Sequence, residues 1–208
     1  MNIKATLFGV ALAQIPVGAI AQTYGKYETP AYTVEARLGD IEIRQYAPYI
    51  AAEVTVRGEE RRALNRGFQV LAGYIFGGNS ASSSIEMTAP VGQSQQIDMT
   101  SPVGQSGENG TWTVTFSMPR EWTMETLPKP NNEAVQFREV PAQRQVVYMF
   151  SGRATPSALE TAEAVLREQA EANGLQTTGQ LFTYYYDDPM TLPWKRRNEV
   201  ALALDAQS

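Results

Sequence analysis

The stretch "YIFGGNSASSSIEMTAPVGQSQQIDMTSPVGQS" (74–106) contains nearly the same ten residues twice. "IEMTAPVGQS" (85–94) and "IDMTSPVGQS" (97–106) agree at eight of ten positions and are separated by two residues. Such a tandem copy is either one structural unit used twice or a duplicated insertion next to a functional element. Neither copy carries an obvious catalytic group.

The two copies have the alternating pattern of β-strands. Ile85 and Met87 fall on one face of the first copy, and Ile97 and Met99 fall on the equivalent face of the second. A turn at "GQSQQ" (92–96) would join them. The pattern therefore predicts a hairpin with two related arms.

The composition favours one acidic globular domain. The chain has 208 residues, of which 43% are hydrophobic and 19% charged, with a formal net charge of -5. This length and apolar content suffice for a single domain with its own core. The acidic balance argues against a nucleic-acid partner, because phosphate binding requires a basic surface.

The N-terminus has the pattern of an export signal. Lys4 precedes the uncharged segment "ATLFGVALAQIPVGAI" (5–20), and Ala19-Ile20-Ala21 supplies a small-x-small cleavage site. We expect residues 1–21 to be removed and residues 22–208 to form one domain that is periplasmic or secreted. The alternative is an uncleaved N-terminal anchor. No later segment reaches transmembrane length, so no stable membrane span is expected after cleavage.

Two residue types are missing from the sequence. The chain has neither cysteine nor histidine. Ser-His-Asp and Cys-His catalysis, His-rich zinc sites and imidazole ligation of haem iron are therefore excluded. Adjacent carboxylates such as Asp187-Asp188 cannot flank one glycosidic bond, because neighbouring strand residues face opposite ways. We expect a protein that is not an enzyme and has no metal site of protein ligands alone.

The periodicity predicts two similar α+β halves. In each half a helix follows strands and is followed by two further strands. The first half has two strands over 32–56 with a turn at 38–40 and a break at Ala47-Pro48, a helix over 61–78, and strands over 110–119 and 134–141. The second half has a strand over 144–152, a helix over 155–174 with a capping box at Ser157…Glu160, and strands over 179–189 and 198–204.

Six segments of the chain carry a resemblance to a known family. They are "RQYAPYIAAEV" (44–54), "YIFGGNSASSSIEMTAPV" (74–91), "FSMP" (116–119), "LPKP" (127–130), "FSG" (150–152) and "WKRRNEVAL" (194–202). In these segments and in their order the chain resembles the SOUL haem-binding protein family, as an exported bacterial-type member. The segments follow the family's order and cover almost all of residues 22–208.

The resemblance implies a fold and a function. The fold is a distorted antiparallel β-barrel of about eight strands with two flanking helices, built from two pseudo-symmetric strand-helix-strand-strand halves. The function is non-catalytic binding of haem or a related tetrapyrrole in an apolar groove beside the first helix. Because histidine is absent, the ring would be held by apolar contacts and charge. One copy of the repeat corresponds to the family's Met-Thr-x-Pro-Val strand, and the second is expected to be an inserted strand or flap beside the pocket.

The first helix supplies one candidate wall of the haem site. Phe68, Leu71, Ala72 and Ile75 form an apolar stripe that either contacts the ligand or seals the helix to the sheet. The candidates for the groove mouth are polar: Asn65, Arg66 and Gln69. From the repeat, Met87 and Met99 are candidate haem contacts.

A second candidate wall lies near the C-terminus. Trp194 offers a flat stacking surface, and Lys195 and Arg196 offer cations for haem carboxylates. The alternative is that Trp194 packs on the barrel end and that Arg196 or Arg197 pairs with Glu199 or another internal carboxylate.

Two other functions fit the same sequence. A barrel with duplicated halves also resembles bacterial sensor domains that bind drug-like cations or small apolar molecules. A cell-envelope protein that binds another protein and has no ligand slot is the third interpretation. The sequence gives no oligomeric state.

Overall fold

The computed structural model describes residues 22–80, 95–188 and 190–205. It has an α+β fold in which two helices flank a large curled antiparallel sheet of nine strands that forms a half-barrel. The predicted fold class is confirmed, with nine strands in the main sheet where about eight were expected. No described helix is long and apolar enough to cross a membrane.

The first half contains ten strands and the first helix. They are β1 (Gln22–Tyr24), β2 (Tyr27–Thr29), β3 (Tyr32–Leu38), β4 (Ile41–Tyr46), β5 (Tyr49–Arg57), α1 (Glu60–Ile75), β6 (Asn79–Ser80), β7 (Val103–Glu108), β8 (Thr111–Ser117), β9 (Lys129–Pro130) and β10 (Gln136–Val140). The second half contains β11 (Gln143–Ser151), α2 (Pro156–Ala172), β12 (Thr177–Tyr185), a 3₁₀ turn (Pro193–Lys195) and β13 (Arg197–Leu204).

The main sheet has the strand order β10-β5-β8-β7-β12-β13-β11-β4-β3. Helix α1 packs on β5 and β8, whereas α2 packs on β11, β13 and β4. Each helix therefore covers its own core, and strands β3 and β4 of the first half join the core under α2. Strand β7 pairs with β12 between the two cores. Two small sheets, β1-β2 and β6-β9, lie outside the main sheet.

The predicted breaks in the first strands are confirmed. Strand β3 ends at Leu38 and β4 begins at Ile41, with Gly39 at a φ of +62° in the turn between them. Ala47 and Pro48 separate β4 from β5. Proline at this position costs the sheet no hydrogen bond, because the ladder is already interrupted.

The helix that the periodicity predicts over residues 61–78 is confirmed as α1. Glu59 is the N-cap, and its carboxylate accepts hydrogen bonds from the backbone N–H groups of Arg61 and Arg62. Its buried stripe packs on the sheet in a core that includes Val114 and Phe116 of β8. The helix ends at Ile75, and Gly77 then adopts a φ of +105°.

Helix α2 is confirmed, but its predicted cap is wrong. The N-cap is Thr155, whose Oγ1 accepts a hydrogen bond of 3.2 Å from the Ala158 N–H. Thr155 has extended backbone angles and Pro156 fixes the first helical φ, so the helix begins at Pro156, one residue before Ser157. Gly174, at a φ of +69°, follows the end of the helix as predicted.

The second copy of the repeat leads into the centre of the sheet. Ile97 is 1% exposed, and its N–H donates to the Ile75 carbonyl at 2.9 Å. The segment forms no ladder until Val103, where β7 begins between β8 and β12. The sequence left open whether the second copy is a barrel strand or a flap, and its last residues form a strand in the middle of the main sheet. The first arm of the predicted hairpin lies outside the described residues.

Two glycines of α1 are predicted to respond oppositely to alanine. A Cβ built on Gly67 would lie 2.4 Å from Val114 Cγ2, whereas a Cβ on Gly73 meets nothing within 4 Å. Gly67→Ala should therefore destabilise the fold by about 1–3 kcal/mol through overpacking. Gly73→Ala should stabilise it by about 0.5–1 kcal/mol through helix propensity. Urea unfolding of both variants measures the difference, and equal changes would contradict the described packing of α1.

Candidate functional site

A groove of about 550 Å³ runs along one side of α1. Five of its residues recur along the helix at spacings of three or four, and the opposite wall comes from the segment that follows β9. The lining residues are Arg66, Gln69, Val70, Gly73, Tyr74, Gly78, Asn131 and Asn132. The volume is in the range of about 300–1,000 Å³ that is usual for small-molecule and cofactor sites.

Tyr74 forms the floor of the groove. It is 2% exposed, and its hydroxyl donates a hydrogen bond of 2.9 Å to the Pro128 carbonyl. Its ring packs against Phe137 with 5.4 Å between ring centroids. Burial raises the pKa of Tyr74, so the phenol stays neutral near pH 7. The floor is thus an aromatic surface and not a source of negative charge.

The wall opposite α1 is fixed by hydrogen bonds to the end of the helix. The Asn131 N–H donates to the Gly78 carbonyl at 3.0 Å, and Ser80 Oγ donates to Asn131 Oδ1 at 3.0 Å. Gly78 itself donates to the Gly73 carbonyl, and a Cβ on Gly78 would lie 2.6 Å from that oxygen. This close approach requires glycine. The groove is therefore built into the fold without any ligand.

Charge in the groove is confined to one end. Among the described lining residues, Arg66 is the only ionisable cation. Its guanidinium donates to the Arg57 carbonyl and its side chain is exposed. This contact holds the guanidinium near the start of α1 while leaving further donors for a carboxylate.

A second polar cluster is buried on the other face of the sheet. Glu199 of β13 is fully buried, and both of its oxygens accept from the Arg44 guanidinium at 2.9 and 3.0 Å. Arg197 Nε donates to Glu199 Oε1 at 2.9 Å, and the Tyr186 hydroxyl donates to Oε2 at 2.9 Å. Every acceptor direction of this carboxylate is in use, so the group is structural and has no capacity for acid–base chemistry.

Aromatic rings complete this cluster. The Arg44 guanidinium lies 4.5 Å from the Tyr32 ring centroid, and that of Arg197 lies 4.2 Å from the Tyr186 ring centroid. Burial opposes the charge of Arg44, but the Glu199 carboxylate outweighs it and raises the pKa of Arg44 above its ordinary value. The pKa of Arg197 is raised in the same way. Both guanidinium groups therefore remain charged at every physiological pH.

Comparison with known proteins identifies the family. The family model described as "SOUL heme-binding protein" matches residues 27–203. The chain belongs to the SOUL haem-binding protein family. No curated protein matches this sequence.

Several solved structures share the SOUL-family fold at low sequence identity. The EcmrR C-terminal domain is 12% identical with a TM-score of 0.59, covering 84% of this chain and 98% of that one. An uncharacterised conserved protein from Listeria innocua is 15% identical with a TM-score of 0.54, covering 82% and 95%. A structure named as a hydrolase from Listeria innocua is 17% identical with a TM-score of 0.52, covering 82% and 94%. At these identities the likeness shows the fold alone.

The helix stripe predicted from the sequence faces the sheet, not the groove. Leu71 and Ile75 are 0% and 1% exposed and belong to the core beneath α1. Phe68 is 37% exposed and packs edge-on against Phe116 at 5.5 Å between centroids. Ala72 is half-buried. The interpretation that this stripe seals the helix to the sheet is therefore the one that the packing supports.

The polar and methionine candidates are scattered. Arg66 and Gln69 line the groove, whereas Asn65 is exposed and does not. Met99 is half-buried and packs against the core under α1. Met87 lies outside the described residues.

The two predicted walls are not brought together. Trp194 and Lys195 lie in the 3₁₀ turn, which contacts β11 in the half that carries α2. Trp194 is 69% exposed and Lys195 is exposed. Arg196 Nε donates to the Thr191 carbonyl at 2.8 Å. The alternative interpretation, in which Arg196 or Arg197 pairs with Glu199, is confirmed for Arg197 by its ion pair with Glu199.

Sequence reasoning missed six residues that line the groove. They are Val70, Gly73, Tyr74, Gly78, Asn131 and Asn132. Gly73 was the available signal. Glycine inside a periodic helix weakens the helix, so a glycine at this exposed position indicates that space is needed beside it. The Asn131-Asn132 wall had no signal, since its position depends on the β6-β9 pairing of distant residues.

The buried ion pair yields a stability prediction. Arg44→Met leaves the fully buried Glu199 carboxylate with one guanidinium instead of two, so we expect a loss of about 3–5 kcal/mol in the free energy of unfolding. Arg37→Met on the neighbouring strand is the matched control. Arg37 pairs with Glu42 at 3.0 Å while 70% exposed, so its removal should cost less than about 1 kcal/mol. Urea unfolding compares the two, and a similar small loss in both variants would contradict a structural role for Arg44.

Proposed function

We propose that this protein binds haem or a related tetrapyrrole in the groove beside α1, without catalysis and without histidine ligation. The observation that carries the proposal is a preformed groove of about 550 Å³ in a chain of the SOUL haem-binding family. Its dimensions and lining agree with a flat, largely apolar ligand that carries acidic groups.

The lining residues fit the chemistry of a tetrapyrrole. Val70 supplies apolar surface for the macrocycle, and the buried Tyr74 side chain supports this part of the groove from below. Gly73 has no side chain and faces open space, which lets a planar ring approach the helix backbone. Arg66 would pair with a propionate, and the amides of Asn131 and Asn132 can hydrogen-bond at the opposite wall.

The iron would receive no strong side-chain ligand from this groove. The chain has no histidine or cysteine. The described lining residues include no methionine or lysine, and the Tyr74 hydroxyl is neutral and already bonded to Pro128. Bound haem supplies a planar apolar surface and two carboxylates. Affinity would therefore come from ring burial and from Arg66, and iron-free porphyrin should bind about as well as haem.

A binding role, not a catalytic one, agrees with the available side chains. The buried Glu199 has no free acceptor direction, and the lining residues that the structure describes include no carboxylate or imidazole to act as a general base. The hydrolase name of some structural neighbours applies to those proteins.

Two leucine substitutions on α1 test the location of the site. Gly73→Leu fills the groove, so we expect the Kd for haemin to rise at least tenfold in a Soret titration. Asn65→Leu adds the same side chain at an exposed position outside the groove and should leave the Kd within twofold of the parent value. Near-UV and far-UV circular dichroism confirm that both variants are folded.

The outcomes separate the alternatives. Loss of binding in Asn65→Leu but not in Gly73→Leu would move the site to the other side of α1. A saturable response in neither the parent nor the variants would remove the haem proposal, and a small apolar ligand or a protein partner would then be the better interpretation.

Arg66→Ala should weaken haemin binding severalfold in the same titration. Lys195→Ala, which removes a cation from the other half, should leave haemin binding unchanged.

A further inference from the structure

Exposed apolar side chains concentrate at one end of the second half. In the described part of the chain seven large apolar side chains are exposed, and four of them lie in or beside the segment that joins β12 to β13. Met190 is 89% exposed, Leu192 48% and Trp194 69%. These three residues are called the apolar ridge below. Met149, near the end of the strand that contacts the 3₁₀ turn, is also exposed. Exposed patches of this kind mark contacts with another protein or with a membrane.

Backbone hydrogen bonds hold the apolar ridge in place. The Lys195 N–H donates to the Leu192 carbonyl at 2.9 Å, and the Gly152 N–H donates to the Pro193 carbonyl at 3.0 Å, which ties the turn to the end of β11. Thr191 and Pro193 are half-buried between the exposed residues of the ridge. The apolar side chains are therefore held outward before any partner arrives, and this lowers the entropic cost of binding.

Two cations lie next to the apolar ridge. Lys195 is the residue after Trp194, and Arg153 follows the glycine that bonds to the turn; both are exposed. The two carboxylates at the base of the segment, Asp187 and Asp188, both accept hydrogen bonds from this chain. The ridge therefore presents apolar surface beside positive charge, although the whole chain has a net charge of -5.

We propose that the apolar ridge docks on the surface of an anionic lipid bilayer. The Trp194 indole would lie at the level of the headgroups, the position that this ring favours in membranes. Met190 and Leu192 would reach the boundary of the acyl chains, and Lys195 and Arg153 would lie among the lipid phosphates. The contact is peripheral, and the proposal does not depend on haem binding.

The composition of this surface favours lipid over a protein partner. Lysine is depleted from the centres of protein interfaces, yet Lys195 adjoins Trp194 in the middle of the patch. The apolar ridge comes from one short segment and is narrow, whereas a stable protein interface uses about 800 Å² from each partner. A bilayer surface needs no complementary shape, because lipids rearrange around a protruding side chain.

The chain enters the fold at the same end. The Tyr24 hydroxyl of β1 donates to Asp187 at 2.9 Å, and the Arg197 guanidinium lies 5.6 Å from the Tyr24 ring centroid. Asp187 and Arg197 form the base of the segment that carries the ridge, since the Arg197 N–H donates to the Asp187 carboxylate. An N-terminus held at a membrane would therefore bring the apolar ridge to the same surface. No residue before Gln22 belongs to the proposed contact.

Sedimentation with lipid vesicles tests the proposal. Residues 22–208 are used, because both buried cores and the whole family match lie within them. The apolar segment 5–20 is left out because it would enter lipid by itself. Vesicles of equal parts phosphatidylcholine and phosphatidylglycerol should bind the protein about tenfold more strongly than vesicles of phosphatidylcholine alone.

Three variants locate the contact. Trp194→Ala should weaken binding to the anionic vesicles about tenfold. Phe76→Ala, which removes another exposed aromatic ring at the end of α1, is the control and should change binding by less than about twofold. Lys195→Ala should weaken binding severalfold at low salt and less at high salt, because salt screens the attraction to phosphate. Circular dichroism confirms that all three are folded.

Lipids with brominated acyl chains report where the indole lies. Quenching of tryptophan fluorescence that is present in the parent and lost in Trp194→Ala would support insertion of this ring. Failure of the parent to bind anionic vesicles, or an equal loss in Trp194→Ala and Phe76→Ala, would overturn the proposal. It would also be overturned by a parent dimer that dissociates in Trp194→Ala without any vesicle binding, since the ridge would then join two copies of the chain.

Discussion

The carboxylate of Glu199 receives five hydrogen bonds from two arginines and a tyrosine without any contact with solvent. Arg44 comes from β4 and Glu199 from β13, two strands that are separated by β11 in the sheet. A charge buried in this way is tolerated only when every partner is in place, because an uncompensated carboxylate in the interior is strongly destabilising. The strand order that places β4 and β13 on either side of β11, within reach of the Arg44–Glu199 pair, is therefore a requirement of this sequence.

The cluster lies on the face of the sheet that points away from the helices. Ile43 and Val200 pack under α2, and the adjacent residues Arg44 and Glu199 point to the opposite face, as strand alternation requires. Both helices lie on the apolar face. The Tyr24 hydroxyl donates to Asp187 at 2.9 Å, and the Arg197 guanidinium lies 5.6 Å from the Tyr24 ring, so the β1-β2 hairpin is held near the polar cluster. The groove thus forms beside a helix that packs on a continuous buried core.

The sequence predicted the elements well because their signals are local. Alternation located the strands on both sides of Ala47-Pro48, and helical spacing located α1 and α2 to within a few residues. The cap of α2 was missed because Thr155 and Ser157 are both good N-caps, and only the backbone angles of Thr155 decide between them. The sequence left the role of the second repeat copy open, because the pairing of β7 with β12 joins segments that are distant in the chain.

The site was harder to predict than the fold. An apolar helix stripe fits a binding slot and a core face equally well, and here Leu71 and Ile75 belong to the core. Only Arg66 among the predicted ligand-binding residues, with its neighbour Gln69, lines the groove. The remaining wall comes from Asn131 and Asn132, whose approach to Gly78 depends on long-range pairing that no local pattern encodes.

The most direct test of the central claim is to map where haemin sits by amide NMR. The ferric iron broadens nearby resonances, and an iron-free porphyrin provides the diamagnetic reference. Binding in the groove predicts selective broadening at Gly73, Gly78, Asn131 and Asn132, with Trp194 and Lys195 unaffected. Broadening centred on the 3₁₀ turn, or spread evenly over the surface, would contradict binding of the tetrapyrrole beside α1.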